Sequence, residues 1–311
     1  MSRLTNDFSW SFSRHHSFQT CLKRYFFAYY AAWGGWNAEA PPAARELYTL
    51  KRLYTRRQWA GHHAHQAIET LIRHGRRDPE PARRAEDRQI DLMRREFRES
   101  RAGVYRRDPV RTTGLFEHEY QVAVSDEEWK AIVERTATAI RRFLHSPLWA
   151  ELQAMPDDRI LAVERRAHFT LDGLKVRAVP DLVIRENNRV RIFDWKTGTA
   201  PLDSHRLQLG IYVLLAQDRW TADPDEIEAI ACNPASDEQA SFRYSADELE
   251  TLREFIRDSA DEMLFPLANP ERNDPGDGEL FDCTENPAPC PTCPFLRICP
   301  RWQTGAGPSP A

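Results

Sequence analysis

The chain has no run of about 18 apolar residues, the minimum a helix needs to cross a bilayer. The opening stretch Met1–Trp10 lacks the basic-then-apolar order of a secretory signal, so no membrane contact and a cytoplasmic location are expected. An excess of positive charge is also missing. Lys and Arg number 43 against 47 Asp and Glu, a formal net charge of −4. That balance argues against blanket phosphate binding but leaves room for a local basic groove, because a whole-chain sum hides patches. Cysteines are few, six in 311 residues, and most lie near the C-terminus. They do not form a disulfide scaffold, and a chain this long buries a core without one. No internal repeat is evident. Length fits one large domain or two modest ones, and a mean hydropathy of −0.65 fits a soluble protein.

What is present divides by pattern. Phe8–Trp36 is aromatic and basic, a candidate surface for stacking bases. From Ala43 to His74 a rough apolar stripe (Leu47, Leu50, Tyr54, Ala64, Ile68, Leu71) predicts one helix ended by Gly75. Arg76–Asp108 alternates Arg with Asp and Glu, which reads either as a solvated helix laced with ion pairs or as the wall of a nucleic-acid channel. Ser125-Asp126-Glu127-Glu128 and Ser245-Ala246-Asp247-Glu248 are capping boxes, opening helices to Leu144 and Leu264. Between them lie strands. Ile160–Leu171 and Leu174–Arg185 flank the favoured hairpin turn Asp172-Gly173, and Val190–Trp195 follows the turn Asn187-Asn188, giving a three-stranded meander. A helix over Asp203–Arg219, a strand over Ile227–Cys232 and an edge strand over Ser241–Tyr244 complete the pattern. From Asn269 onward the chain is rich in Pro, Gly and Asp and cannot pack a core alone.

The chemistry concentrates on the strands. Asp181 follows Pro180, and Asp194-Trp195-Lys196 ends the third strand, where alternation puts Asp194 and Lys196 on one face. Two carboxylates about 4 Å apart repel by roughly 4 kcal/mol at an effective dielectric of 20. A divalent cation reverses that penalty, and oxygen ligands suit Mg²⁺ or Mn²⁺. Lys196 beside it can orient a water or meet charge developing on a phosphate. Gln208 and Tyr212, four apart, share a face of the following helix. His65 in Gly61-His62-His63-Ala64-His65 and Glu164 on the first strand are further candidate ligands. Cys290, Cys293 and Cys299 have the spacing of metal ligands in a Pro-stiffened loop, with Cys283 or Cys21 available as a fourth. Zinc and an iron-sulfur cluster both accept four thiolates, and the spacing does not choose between them. With Cys21 as the fourth, the centre would tie the two ends of the chain, worth on the order of 5 kcal/mol in a cross-link entropy model. Cys232, in a strand, reads as an ordinary buried thiol.

In this order the motifs resemble the PD-(D/E)xK nuclease superfamily and its RecB-like branch. Pro180-Asp181 with Asp194-Trp195-Lys196 is similar to the signature itself. Gly61 to His65 and Gln208 to Tyr212 resemble that branch's flanking motifs, and Ser11, Ser13, Cys21, Cys290, Cys293 and Cys299 resemble its iron-sulfur members. Similar proteins are the four-cysteine exonucleases of CRISPR adaptation and AddAB-type nuclease domains. Ala178 stands where many relatives carry glycine, and the insert Gly75–Pro156 is longer than in the compact CRISPR members.

The resemblance implies an α/β restriction-endonuclease-like core, a central mixed sheet of four strands flanked by helices, with a helical insert and an iron-sulfur-stapled region joining the termini. It implies His65, Asp181, Asp194 and the Trp195 backbone carbonyl as ligands of Mg²⁺ or Mn²⁺, and Lys196 positioning water. Gln208 and Tyr212 would support the site and contact the strand backbone, and Cys21, Cys290, Cys293 and Cys299 would hold a 4Fe-4S cluster; beside the resemblance, the strand reading adds Glu164 as a supporting or substrate-binding carboxylate. The expected activity is metal-dependent DNA cleavage, as an exonuclease on single strands or ends, in repair, recombination or defence. DNA is then the partner, alongside a helicase, recombination or CRISPR-adaptation protein. The alternative is a nucleic-acid-binding scaffold subunit. Four segments are expected: 1–44 with the first cluster cysteine, 45–158 helical with the motif histidine, 159–268 as nuclease core and 269–311 carrying the remaining cluster cysteines.

Overall fold

The computed structural model describes residues 5–303 apart from 237. The chain divides into two units, Met1–Arg56 with Arg95–Val124 and Arg257–Ala311, and Arg57–Arg94 with Ser125–Ile256.

In the first unit Ser11 caps the helix Phe12–Thr20 by accepting from the backbone N–H of Arg14. The Arg14 side chain is buried. It donates to the hydroxyls of Tyr25 and Tyr30 and to the Ser9 carbonyl, and lies 4.7 Å from the Phe8 ring centre and 4.9 Å from that of Tyr29. These hydrogen bonds and ring faces replace the water a buried cation loses. The segment expected to stack bases therefore spends Tyr25 and Tyr30 on its own interior, against Arg14 and Phe281. Trp33 and Trp36 remain exposed.

The single helix expected over Ala43–His74 is broken. It forms Pro42–Lys51 and Arg56–Thr70, the latter running on as a wider turn through Leu71–Gly75. Between them β1 (Leu53–Tyr54) pairs in parallel with β2 (Gly114–Leu115). The buried Glu117 carboxylate then accepts from the Arg56 N–H at 2.9 Å and pairs with its guanidinium at 3.2 Å. Both partners are distant in sequence, so local periodicity carries no sign of the break.

The second unit is a five-stranded mixed sheet in the order β3 (Ile160–Val163), β6 (Leu182–Glu186), β7 (Arg189–Trp195), β8 (Ile227–Asn233), β9 (Glu238–Phe242). The four strands of the expected core are thus extended by the edge strand β9. Antiparallel β6 and β7 are joined at Asn187, whose φ of 54° is left-handed. β7 and β8 are parallel, because the helix Arg206–Trp220 carries the chain back between them.

The expected meander is interrupted. Glu164 (φ 44°) turns the chain out of β3, and β4 (Ala167–Leu171) and β5 (Leu174–Ala178) form a separate hairpin across Asp172 and Gly173, both at positive φ. Pro180 precedes the return to β6 and lacks the N–H that an unbroken ladder needs. The Glu164 N–H donates to the Asp181 carbonyl at 2.9 Å, so the excursion closes where it opened.

Leu182, Ile184, Phe193 and Trp195 pack with Ile68, Leu71, Ile140, Phe143 and Trp149 from the helices on one face. Full burial of each such side chain contributes about 1.5–3 kcal/mol. On the helix Arg206–Trp220 every residue from Leu209 to Ala216 is buried. Both capping boxes form, at Ser125–Glu128 and Ser245–Glu248. The charged insert gives helices Pro79–Arg83 and Ala85–Arg101, with exposed pairs Arg84–Glu80 and Arg94–Asp91. Among the described residues no helix is long and apolar enough to cross a membrane.

Candidate active site

Asp181 and Asp194 are buried side chains on neighbouring strands, Asp181 just ahead of β6 and Asp194 near the end of β7. The Trp195 N–H donates to Asp181 Oδ2 at 2.5 Å. Facing the other oxygen is His65, whose Nδ1 lies 3.3 Å from Asp181 Oδ1 and 3.3 Å from Glu164 Oε1. The helix Arg56–Thr70 supplies His65, and the left-handed turn at Glu164 swings that carboxylate inward. His65, Glu164 and Asp181 each offer a donor atom within 4.8 Å of the other two.

Burial raises the Asp181 carboxyl; His65 opposes the rise and the Asp194 charge adds to it, leaving the group at about 7. Burial lowers the His65 imidazole, but Asp181 and Glu164 outweigh it and hold the ring up to about 10. For Glu164, burial is outweighed by hydrogen bonding to His65 and Asp181, and its carboxyl lies below the usual range. One imidazole and two carboxylates, crowded and competing for a proton, are a donor set that a divalent cation relieves. The residues present fit such an ion.

Asp194 lies outside that trio. Its Oδ2 forms an ion pair with Lys196, and its Oδ1 receives the Tyr212 hydroxyl at 3.3 Å. Lys196 donates to Gln208 Oε1 at 2.7 Å, and Gln208 donates through Nε2 to the Tyr212 hydroxyl at 2.7 Å. A ring of hydrogen bonds thus runs Lys196–Gln208–Tyr212–Asp194. The ammonium is held at the edge of the carboxylates, and its backbone N–H donates to the Cys232 carbonyl of β8 at 2.6 Å. The Trp195 ring points the other way, against Phe143 and Phe193.

Sequence reasoning named Gly61 without its packing role and missed Arg135. Gly61 sits so close to Thr197 that an added Cβ would meet Thr197 Oγ1 at 2.5 Å, so only glycine lets the His65 helix approach the turn after Lys196. Arg135, from the helix Asp126–Leu144, donates to the Thr197 carbonyl and pins that turn. The glycine was visible one helical turn before His65; Arg135 carried no signal among many arginines.

The cysteines gather in the first unit. Cys21, Cys283, Cys290, Cys293 and Cys299 line one pocket with Arg24, Phe27 and Phe295. Cys21 Sγ accepts from the backbone N–H of Arg24 at 3.5 Å and of Thr284 at 3.4 Å. Cys283 and Cys299 are 3.7 Å apart at sulfur. Burial raises the Cys293 thiol to about 11, and burial with the neighbouring Cys299 raises Cys283 to about 11. Among the described residues no three cysteine sulfurs lie within 4.8 Å of one another. Cys232 stays apart, buried in β8.

A mixed sheet flanked by helices, with paired acidic residues and a lysine at the ends of adjacent strands, is consistent with a restriction-endonuclease-like fold. The chain belongs to the PD-(D/E)XK nuclease superfamily, whose family model matches residues 9–300. A 53-residue stretch, 17% of the chain, is 42% identical to the Gene 69 protein of Mycobacterium phage L5 and covers 18% of that protein. The chain thus matches under a fifth of that relative's length. Among solved structures it is similar to the crystal structure of SSO0001, at 20% identity and a TM-score of 0.29, over 60% of this chain and 78% of that one.

Proposed function

We propose that this protein is a DNA nuclease of the RecB-like branch, cutting single strands or strand ends as an exonuclease. The observation that carries the reading is the trio His65, Glu164 and Asp181 beside the Asp194–Lys196 pair. His65, Asp181 and Asp194, with the Trp195 carbonyl and Glu164, would hold Mg²⁺ or Mn²⁺. When bound, such an ion lowers the pKa of water and neutralises charge on the phosphate. Lys196 orients the attacking water and meets the charge that develops on the phosphate. Gln208 and Tyr212 fix the Lys196 ammonium and the Asp194 carboxylate in that geometry.

Cys21, Cys290, Cys293 and Cys299 hold a 4Fe-4S cluster of structural role, in a region made of 1–44 and 269–311. Segment 45–158 brings the motif histidine, and 159–268 the nuclease core. The choice of a cluster over zinc rests on the resemblance of the cysteine spacing, and the four thiols line one pocket. The thiolate-rich pocket suits a reducing cytoplasm, and a helicase, recombination or CRISPR-adaptation protein would be the associate.

The test is anaerobic cleavage of end-labelled single- and double-stranded DNA with Mn²⁺, Mg²⁺ or EDTA, beside Lys196→Ala and Asp194→Ala. Metal-dependent degradation lost in both variants is expected. A folded, DNA-binding protein that cuts nothing under any divalent ion would instead be the scaffold subunit.

A further inference from the structure

A cavity of about 230 Å³ lies beside the candidate site, within the second unit. One wall is the turn that follows Lys196, namely Thr197, Gly198 and Thr199. The other is formed by Gly61 and Ala64, the residues just ahead of His65. The cavity is thus lined by the chain neighbours of both His65 and Lys196, which places it at the flank of the candidate site. Ala60, Ile132 and Ala139 complete an apolar lining of short side chains. The exposed Arg57 and the half-buried Arg135 also line it.

That combination selects its occupant. An apolar slot between short side chains accepts a flat ring, guanidinium groups stack on such rings and pair with phosphate, and the volume is below that of pockets for drug-sized ligands. Arg135 already donates to the Thr197 carbonyl, so an occupant that meets Arg135 also meets the group pinning the turn after Lys196.

We propose that this cavity binds one nucleoside of the DNA strand, the one next to the phosphate being cut, with Arg57 taking the adjoining phosphate. The proposal rests on the nuclease reading above and adds to it a specific subsite. Filling of the slot would press on the Thr197 turn, so that occupancy and the position of Lys196 are coupled.

The experiment uses the full chain carrying Asp194→Asn, with Ca²⁺ and short single-stranded oligonucleotides in which 5-iododeoxyuridine replaces each position in turn. Ultraviolet cross-links are mapped by mass spectrometry, and affinities are measured in parallel. One nucleotide position is expected to cross-link to the stretches 57–64 or 132–139. Ile132→Trp, which fills the slot, should remove that cross-link and weaken binding by about fivefold or more, the range for loss of one base contact. Arg57→Ala changes an exposed residue and so tests the site without risk to the fold. It should lower the slope of log affinity against log salt by about 0.7, one phosphate contact on a single strand. Cross-links confined to other segments, or an unchanged salt slope in Arg57→Ala, overturn the subsite while leaving the nuclease reading in place. A parent protein that neither binds nor cross-links DNA overturns both.

Discussion

The backbone N–H of Trp195 donates to Oδ2 of Asp181 at 2.5 Å, so the first carboxylate is tied to the residue that separates Asp194 from Lys196. The signature motif is therefore held together by its own backbone. Asp181→Asn keeps an oxygen for this bond and removes the charge a cation needs, whereas Asp181→Ala removes both. The asparagine variant is expected to melt near the parent temperature yet bind no Mn²⁺. The alanine variant should lose about 1.5–3 kcal/mol of stability as well, the worth of a hydrogen bond to a charged group. Equal melting of the two variants would show that the bond carries no weight.

Metal binding should strengthen with pH. A metal ligand must be deprotonated, and His65, held up to about 10, keeps its proton at neutral pH, while Asp181 sits at about 7. Raising pH from 6 towards 9 removes protons that compete with the ion. The apparent Mn²⁺ affinity should climb by up to about tenfold per pH unit for each proton displaced. Calorimetric titration at several pH values reads this directly, and a flat profile would contradict it.

Gln208 touches Lys196, Tyr212 and, at 3.5 Å, Asp194 Oδ1, but no member of the trio His65, Glu164 and Asp181. Gln208→Ala should lower kcat by about 10–100-fold, as the loss of a positioning partner does, with a much smaller loss of Mn²⁺ affinity because the trio keeps its own donors. Loss of metal binding would place its role elsewhere.

Gly61→Ala forces a methyl against Thr197 Oγ1. Cleavage should fall in that variant and recover when Thr197→Ala is added, because the second change removes the atom that clashes. The double-mutant cycle reads the coupling, and independent effects would show the contact to be slack.

Anaerobically purified protein should be brown, and Cys21→Ser should bleach it and lower its melting temperature. Mn²⁺ binding at the trio, in the other unit, should survive wherever the variant stays folded. A colourless, zinc-rich parent would replace the cluster with zinc.

What could be read from the sequence follows the range of the interactions. The Asp172-Gly173 turn, the two capping boxes and the strand ending at Trp195 are decided by neighbours in the chain, and they appear where the residues call for them. The pairing of Asp181 with Asp194 was legible because a tight turn at Asn187 joins their strands. The break at Arg52 and the turn at Glu164 were not, because Gly114, Glu117 and the Asp181 carbonyl that define them come from far along the chain. Arg135 belongs with these. An arginine on an amphipathic helix looks the same whether it faces water or a catalytic turn.

The hydrogen bond from Glu164 to Asp181 joins the two ends of the β4–β5 excursion at its base. The strands beyond that clasp rest on the helix Arg206–Trp220 and bury Phe169, Leu171 and Val176, so only the tip past them can change in length without altering where the two carboxylates start. The tip at Asp172-Gly173 is consequently a port for engineering, where a fluorophore tag or a foreign loop can be grafted while the machinery behind the clasp keeps its dimensions.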